Sequence, residues 1–92
     1  MENLTSIMSQ VKSVQFNRQD PSQPGYQVIK IFPLRTHLTE NEINVLEAEI
    51  KNKVSQNCLV QWTRNGGMVI FHLENTSKAE IAVLNKMLRV PT

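Results

Sequence analysis

An Asn-Gly pair, Asn65-Gly66, is the sequence feature that most constrains the fold, because residues on both sides of it alternate between apolar and polar. An Asn-Gly pair between two such runs is a strong signal for a β-hairpin closed by a two-residue turn. A turn at these two residues pairs Trp62 with Val69. Opposed residues of antiparallel strands share a face of the sheet, so this register assigns a face to every side chain of the hairpin.

The predicted register gives the hairpin one apolar face and one mixed face. The apolar face holds Cys58, Val60, Trp62, Val69, Phe71 and Leu73, and the mixed face holds Leu59, Gln61, Thr63, Met68, Ile70, His72 and Glu74. We therefore expect Trp62 and Cys58 in the core and His72 on the opposite face. A Cys58–His72 nucleophile pair would need the two side chains within hydrogen-bonding distance, so this register argues against one.

The first part of the chain predicts a helix followed by two strands. Residues 1–10 have apolar residues at helical spacing and predict a short amphipathic helix, although one continuous helix to residue 16 also fits. Strands are predicted over 11–17 and 26–34, separated by a Pro- and Gly-containing loop over 18–25. Strict alternation in the first strand places Lys12, Val14 and Phe16 on one side and Val11, Ser13 and Gln15 on the other.

Two capping boxes predict the starts of the main helices. Residues 39–42 read Thr-Glu-Asn-Glu, and residues 77–80 read Ser-Lys-Ala-Glu. In each case the hydroxyl side chain accepts from the backbone N–H three residues later, while the Glu side chain accepts from the backbone N–H of the capping residue. We expect helices over about 40–56 and 78–89.

The predicted order of elements is α-β-β-α-β-β-α, which makes this an α+β protein. The simplest arrangement is a two-layer plait, with a four-stranded antiparallel sheet, two main helices on one face and a short N-terminal helix. A length of 92 residues fits a single domain over 1–92.

The strands and helices of such a plait can be connected in two ways. One is a circularly permuted ferredoxin-like arrangement. The other resembles the small translation-initiation factors that monitor start-codon choice, which have a similar order of elements. Residues 51–61, KNKVSQNCLVQ, lie where that family has a basic helix end leading into a strand. The glycines and the Gln-Gly-Asp motif of the family are replaced here at 32–34, 56–58 and 74–76. The resemblance is topological, so no functional residue carries over from it.

Composition and motifs exclude several classes of function. Ten Lys and Arg against eight Asp and Glu give a net charge of +2, and the cations are spread along the chain. His37, Cys58 and His72 are too scattered for a zinc site, and we expect neither a metal nor a cofactor. The single cysteine, the absence of a signal-peptide pattern and the short apolar runs predict a cytoplasmic protein that does not associate with membranes.

The sequence favours a small non-enzymatic binding module, a regulatory or adaptor protein that acts through an apolar sheet or helix surface. Its partner is another protein or a second copy of the chain, as a homodimer. The expected contact residues are Val28, Lys30, Phe32, Met68, Ile70, His72, Val83 and Met87.

The alternative is a protein that binds RNA or single-stranded nucleic acid on the open sheet face, where aromatic residues stack on bases and cations contact phosphates. The residues expected to make these contacts are Arg18, Tyr26, Lys30, Arg35 and Arg64. A third interpretation is a small-ligand-binding protein or an enzyme with His37 or His72 as the titrating group.

Overall fold

The computed structural model describes residues 3–18, 25–34 and 37–89, without the side chain of Arg18. It contains seven secondary-structure elements in the predicted order. They are α1 (Leu4–Met8), β1 (Val11–Arg18), β2 (Gln27–Pro33), α2 (Glu40–Lys53), β3 (Val60–Asn65), β4 (Met68–Leu73) and α3 (Lys78–Met87). The α+β class is thereby confirmed. Of the predicted loop 18–25, residues 19–24 lie outside the described residues, and Arg18 belongs to β1.

The four strands form one antiparallel sheet in the order β1-β2-β4-β3. One face of this sheet carries the core, to which all three helical regions contribute. The buried cluster consists of Ile7, Met8, Val11, Ile29, Ile31, Leu38, Ile43, Leu46, Ile50, Val60, Val69, Phe71, Leu73, Leu84 and Leu88. Because residues of α1 belong to this cluster, the N-terminal helix packs on the same face as α2 and α3.

The turn of the β3–β4 hairpin lies at Gly66-Gly67, and the predicted turn at Asn65-Gly66 is wrong by one position. Asn65 remains in the strand and pairs with Met68, so every pair is shifted by two residues from the predicted register. Both turn residues have positive φ, 60° and 83°, which a type I′ turn requires and which two glycines adopt without a Cβ clash.

A shift of two residues keeps every side chain on its predicted face, because the period of a strand is two. Val60, Val69, Phe71 and Leu73 are buried in the core as expected. Trp62 packs against the same cluster but is half-buried.

A β-bulge in β1 overturns the strict alternation expected for this strand. Val11 pairs with Pro33 and Ser13 pairs with Phe32, which leaves Lys12 without a partner on β2. The extra residue brings Val11 onto the same face as Val14, and both contact the core cluster. The bulge therefore allows two valines with an odd spacing in the sequence to share one core.

Both predicted capping boxes are present and start α2 and α3. Thr39 and Glu42 exchange hydrogen bonds of 3.2 and 2.8 Å, and Ser77 and Glu80 exchange bonds of 3.1 and 2.8 Å. The Glu80 carboxylate also accepts from the backbone N–H of Ser55, which ties the start of α3 to the segment after α2. Hydrogen bonding from the Ser77 backbone lowers the pKa of Glu80 below its ordinary value.

All three helices end earlier than the sequence predicts. α2 stops at Lys53 because Val54 is extended, and α3 stops at Met87. Strand β3 begins only at Val60, after a turn in which the Cys58 N–H donates to the Ser55 carbonyl. Among the helices described, none combines the length and the apolar character needed to cross a membrane.

Candidate binding surface on the sheet

The face of the sheet opposite the core, here called the outer face, is the candidate functional surface. Pairing and alternation place on it Ser13, Gln15, Asn17, Tyr26, Val28, Lys30, Phe32, Leu59, Gln61, Thr63, Asn65, Met68, Ile70, His72 and Glu74. Helices α1, α2 and α3 all contribute to the core cluster on the other face. Within the described ranges, therefore, no helix covers the outer face.

Two cross-strand rows run across the middle of the outer face. The first row is Asn17, Val28, His72 and Gln61, and the second is Gln15, Lys30, Ile70 and Thr63. Each row has polar residues on the two edge strands and an apolar residue on a central strand. The middle of the face is thus more apolar than its margins.

The apolar residues of this face differ in what they offer to a partner. Phe32, Met68 and Ile70 are half-buried, so part of each side chain remains accessible. Val28, which the sequence predicts as a contact residue, is 3% exposed although it is not a member of the core cluster. It contributes to the packing of the face and presents almost no surface to a partner.

Tyr26 and His72 form a polar contact on the outer face. The Tyr26 hydroxyl lies 2.9 Å from Nδ1 of His72, and the two ring centroids are 6.2 Å apart at an interplanar angle of 49°. The backbone next to Tyr26 is held by Gly25, whose carbonyl accepts from the N–H and the hydroxyl of Thr76 at 2.9 and 2.5 Å. The pair is therefore anchored to the segment that leads into α3.

A shallow hollow of about 280 Å³ adjoins this pair. Its lining combines a carboxylate, an amide, a hydroxyl and two rings with one exposed aliphatic side chain, from Tyr26, Leu59, Gln61, Thr63, His72 and Glu74. Four of these residues do not appear among the contact residues predicted from the sequence. Their grouping depends on β4 lying between β2 and β3, and no local pattern in the sequence specifies that order of strands.

The structure places Val83, Met87 and the Arg64 side chain away from the outer face. Val83 is exposed on α3, and Met87 packs against the core cluster on the helix side of the molecule. The Arg64 side chain donates to the Leu38 carbonyl, and Arg64 lies within β3. The side chain of Arg18 and all of Arg35 lie outside the described residues.

Cys58 and His72 do not form a nucleophile pair. Cys58 is partly buried against the core cluster, and His72 contacts Tyr26 on the opposite face of the sheet. Burial raises the pKa of the Cys58 thiol, which disfavours the reactive thiolate. In the part of the chain that the structure describes, no group of three or more His, Cys, Asp or Glu side chains is placed to hold a metal ion.

Comparison of the chain with protein-family models, with curated proteins and with solved structures gives no match. The outer face is therefore the feature of the molecule on which a functional proposal is based.

Proposed function

We propose that the protein is a small non-enzymatic binding module that binds another protein through the outer face of its sheet. The observation that supports this proposal is an apolar strip on the face of the sheet that none of the described helices covers. Phe32, Met68 and Ile70 form that strip, each with part of its side chain accessible. Accessible apolar side chains grouped on one surface are typical of protein interaction sites.

The charge of the outer face favours a protein partner over a nucleic acid. Among its residues, Lys30 and Glu74 are the members of the Lys, Arg, Asp and Glu classes, and their charges are opposite. Binding to a phosphate backbone depends on several cations that act together. Arg64, which the nucleic-acid alternative needs, is engaged with the Leu38 carbonyl. A partner with a complementary apolar and weakly charged surface fits this face better.

The role that we propose for this surface is that of a regulatory or adaptor protein. The chain presents an open face on a small scaffold, and a partly apolar surface with few charges supports reversible association. In this proposal the module changes the state of its partner by occupying a surface of that partner.

The test compares two matched variants as bait in a native lysate. Ile70→Glu introduces a charge in the middle of the outer face, and Val83→Glu makes the same kind of change on the exposed side of α3. We expect wild-type and Val83→Glu baits to retain the same partner, and Ile70→Glu to lose it, while circular dichroism shows all three folded.

Repeating the capture after nuclease treatment of the lysate distinguishes a protein partner from a nucleic acid. If capture is unchanged by nuclease and is lost only for Ile70→Glu, the protein-binding proposal is supported. Capture that disappears after nuclease treatment would favour the nucleic-acid alternative. Equal capture by all three baits would show that the outer face is not the binding surface.

A further inference from the structure

The two edges of the sheet are protected unequally against strand addition. β1 carries a bulge and an exposed Lys12, two features that disfavour pairing with another strand. β3, at the other edge, keeps an uninterrupted register from Val60 to Asn65 and contains neither proline nor glycine. Its single charged side chain, Arg64, is held by the Leu38 carbonyl. The β3 edge is therefore the side of the sheet at which a further strand can add.

The position of the hairpin turn determines which residues of β3 form backbone hydrogen bonds with β4. With Gly66-Gly67 as the two turn residues, Asn65 and Met68 form a hydrogen-bonded pair, and alternate residues of β3 continue this pattern. The Glu74 N–H donates to the Leu59 carbonyl at 3.1 Å, so the same alternation of hydrogen-bonded residues continues beyond the end of the strand.

The intervening residues, Val60, Trp62 and Arg64, therefore direct their N–H and C=O groups away from β4. Among the described residues, no backbone hydrogen bond from outside the sheet reaches these groups. Each of the three supplies one donor and one acceptor to the open edge.

We propose that β3 is a self-association surface, at which two copies of the chain pair their β3 strands antiparallel about a two-fold axis at Trp62 and form one eight-stranded sheet. In this register Trp62 faces the partner's Trp62, and Val60 faces the partner's Arg64. The exposed donors and acceptors of one copy then meet those of the other, with six backbone hydrogen bonds expected from three hydrogen-bonded pairs. A two-fold pairing of this kind closes after two copies.

The burial of Trp62 supports a second copy as the occupant. Its side chain is on the core face of an edge strand, with β4 beside it on one side, and it remains half-buried. The same side chain from the partner subunit would lie directly opposite it, and cross-strand aromatic pairs of this kind are stabilising. The core of each copy would then continue into that of the other.

The charges of β3 support this register. The two Arg64 residues lie at opposite ends of the paired segment, four residues apart along the strands. At about 3.3 Å per residue this is about 13 Å, beyond the screening length of roughly 8 Å at physiological salt. Registers centred near Arg64 would place the two cations side by side. A six-residue edge is small beside a standard interface of about 800 Å² per partner, so we expect a reversible dimer that dissociates on dilution.

The inference does not rest on the outer-face function, because it concerns the backbone groups along the edge of β3. Its test uses Gln61 and Thr63, two exposed residues whose side chains lie on the outer face of this edge strand and would oppose each other across the axis as close non-hydrogen-bonded pairs. Gln61→Lys combined with Thr63→Lys places like charges in both pairs. Gln61→Glu combined with Thr63→Lys places opposite charges in both pairs, with the same number of substitutions.

Sedimentation velocity over a dilution series measures dimerisation of the three proteins. We expect wild-type protein to dimerise, the double-lysine variant to dimerise about tenfold more weakly, and the Glu-Lys variant to match or exceed wild type. A wild-type protein that is monomeric at all concentrations, or a Glu-Lys variant that is weakened as much as the double-lysine variant, would overturn the proposal.

Amide hydrogen exchange gives a second and independent readout. The amide protons of Val60, Trp62 and Arg64 should gain protection as the protein concentration is raised, because they become hydrogen-bonded across the edge. Dimerisation without added protection at these three amides would mean that the copies meet through another surface, such as the outer face, and would also overturn the proposal.

Discussion

At the scale of single residues, the Tyr26–His72 contact is the feature that most defines the candidate surface. It joins residues 46 positions apart, and both line the hollow on the outer face. A hydrogen bond between two half-buried side chains fixes the position of both rings. The contact therefore shapes the hollow as well as contributing to the stability of the fold.

We expect a double-mutant cycle of Tyr26→Phe and His72→Ala to give a coupling free energy of about 1 kcal/mol, the usual net value of a hydrogen bond within a protein. Tyr26→Phe removes the hydroxyl and keeps the ring, so it isolates the bond from the packing. Urea unfolding of the two single variants and of the double variant measures the coupling. Effects that add to within about 0.3 kcal/mol would show that the two side chains do not interact in solution.

At the scale of elements, the sequence correctly predicts those features whose interactions lie within a few consecutive residues. The capping boxes at 39–42 and 77–80 are complete within four residues, and both helices begin where they predict. The hairpin turn was wrong by one position because Asn-Gly and Gly-Gly both satisfy a type I′ turn, so the chemistry of the turn does not choose between them. The bulge at Lys12 has no local signal, since it follows from the fit of Val11 and Val14 to a shared core.

Deletion of Lys12 tests whether the bulge serves only to accommodate one extra residue in β1. The deletion places Val11 and Val14 two positions apart, so a regular strand keeps both of them on the core face. We therefore expect the deletion to lower the free energy of unfolding by less than the roughly 2 kcal/mol that exposing a buried valine costs. The control, Lys12→Ala, keeps the bulge and should change stability by less than about 0.5 kcal/mol. A loss of about 2 kcal/mol or more on deletion, measured by chemical denaturation, would show that one of the two valines has left the core.

At the scale of the whole molecule, the two faces of the sheet have different roles. The sequence predicted two layers and the residues of each hairpin face, because alternation with period two specifies a face directly. It did not predict which residues form the hollow, because Tyr26, Gln61 and His72 meet only through the order β1-β2-β4-β3. It also placed Val83 and Met87 in the same set of contact residues as the sheet residues, although the fold puts them on the helix side.

The two-layer arrangement predicts that the same Ile→Ala substitution lowers the free energy of unfolding by different amounts on the two faces of the sheet. Ile29 is fully buried in the core, and Ile70 is half-buried on the outer face. We expect Ile29→Ala to cost about 3 kcal/mol, within the range for buried isoleucines, and Ile70→Ala to cost about 1 kcal/mol. Thermal or chemical unfolding of both variants measures the difference. Similar costs would indicate that the outer face is covered in the folded protein.

The position of the single tryptophan has a spectroscopic consequence. Trp62 lies on the edge strand, half-shielded by the core, while Tyr26 is on the other side of the sheet. Excitation at the red edge of the indole absorption band therefore excites only Trp62, which lies in β3. The emission maximum and the accessibility of this fluorophore to a soluble quencher report the environment of β3 in the native chain, without a dye and without altering a residue.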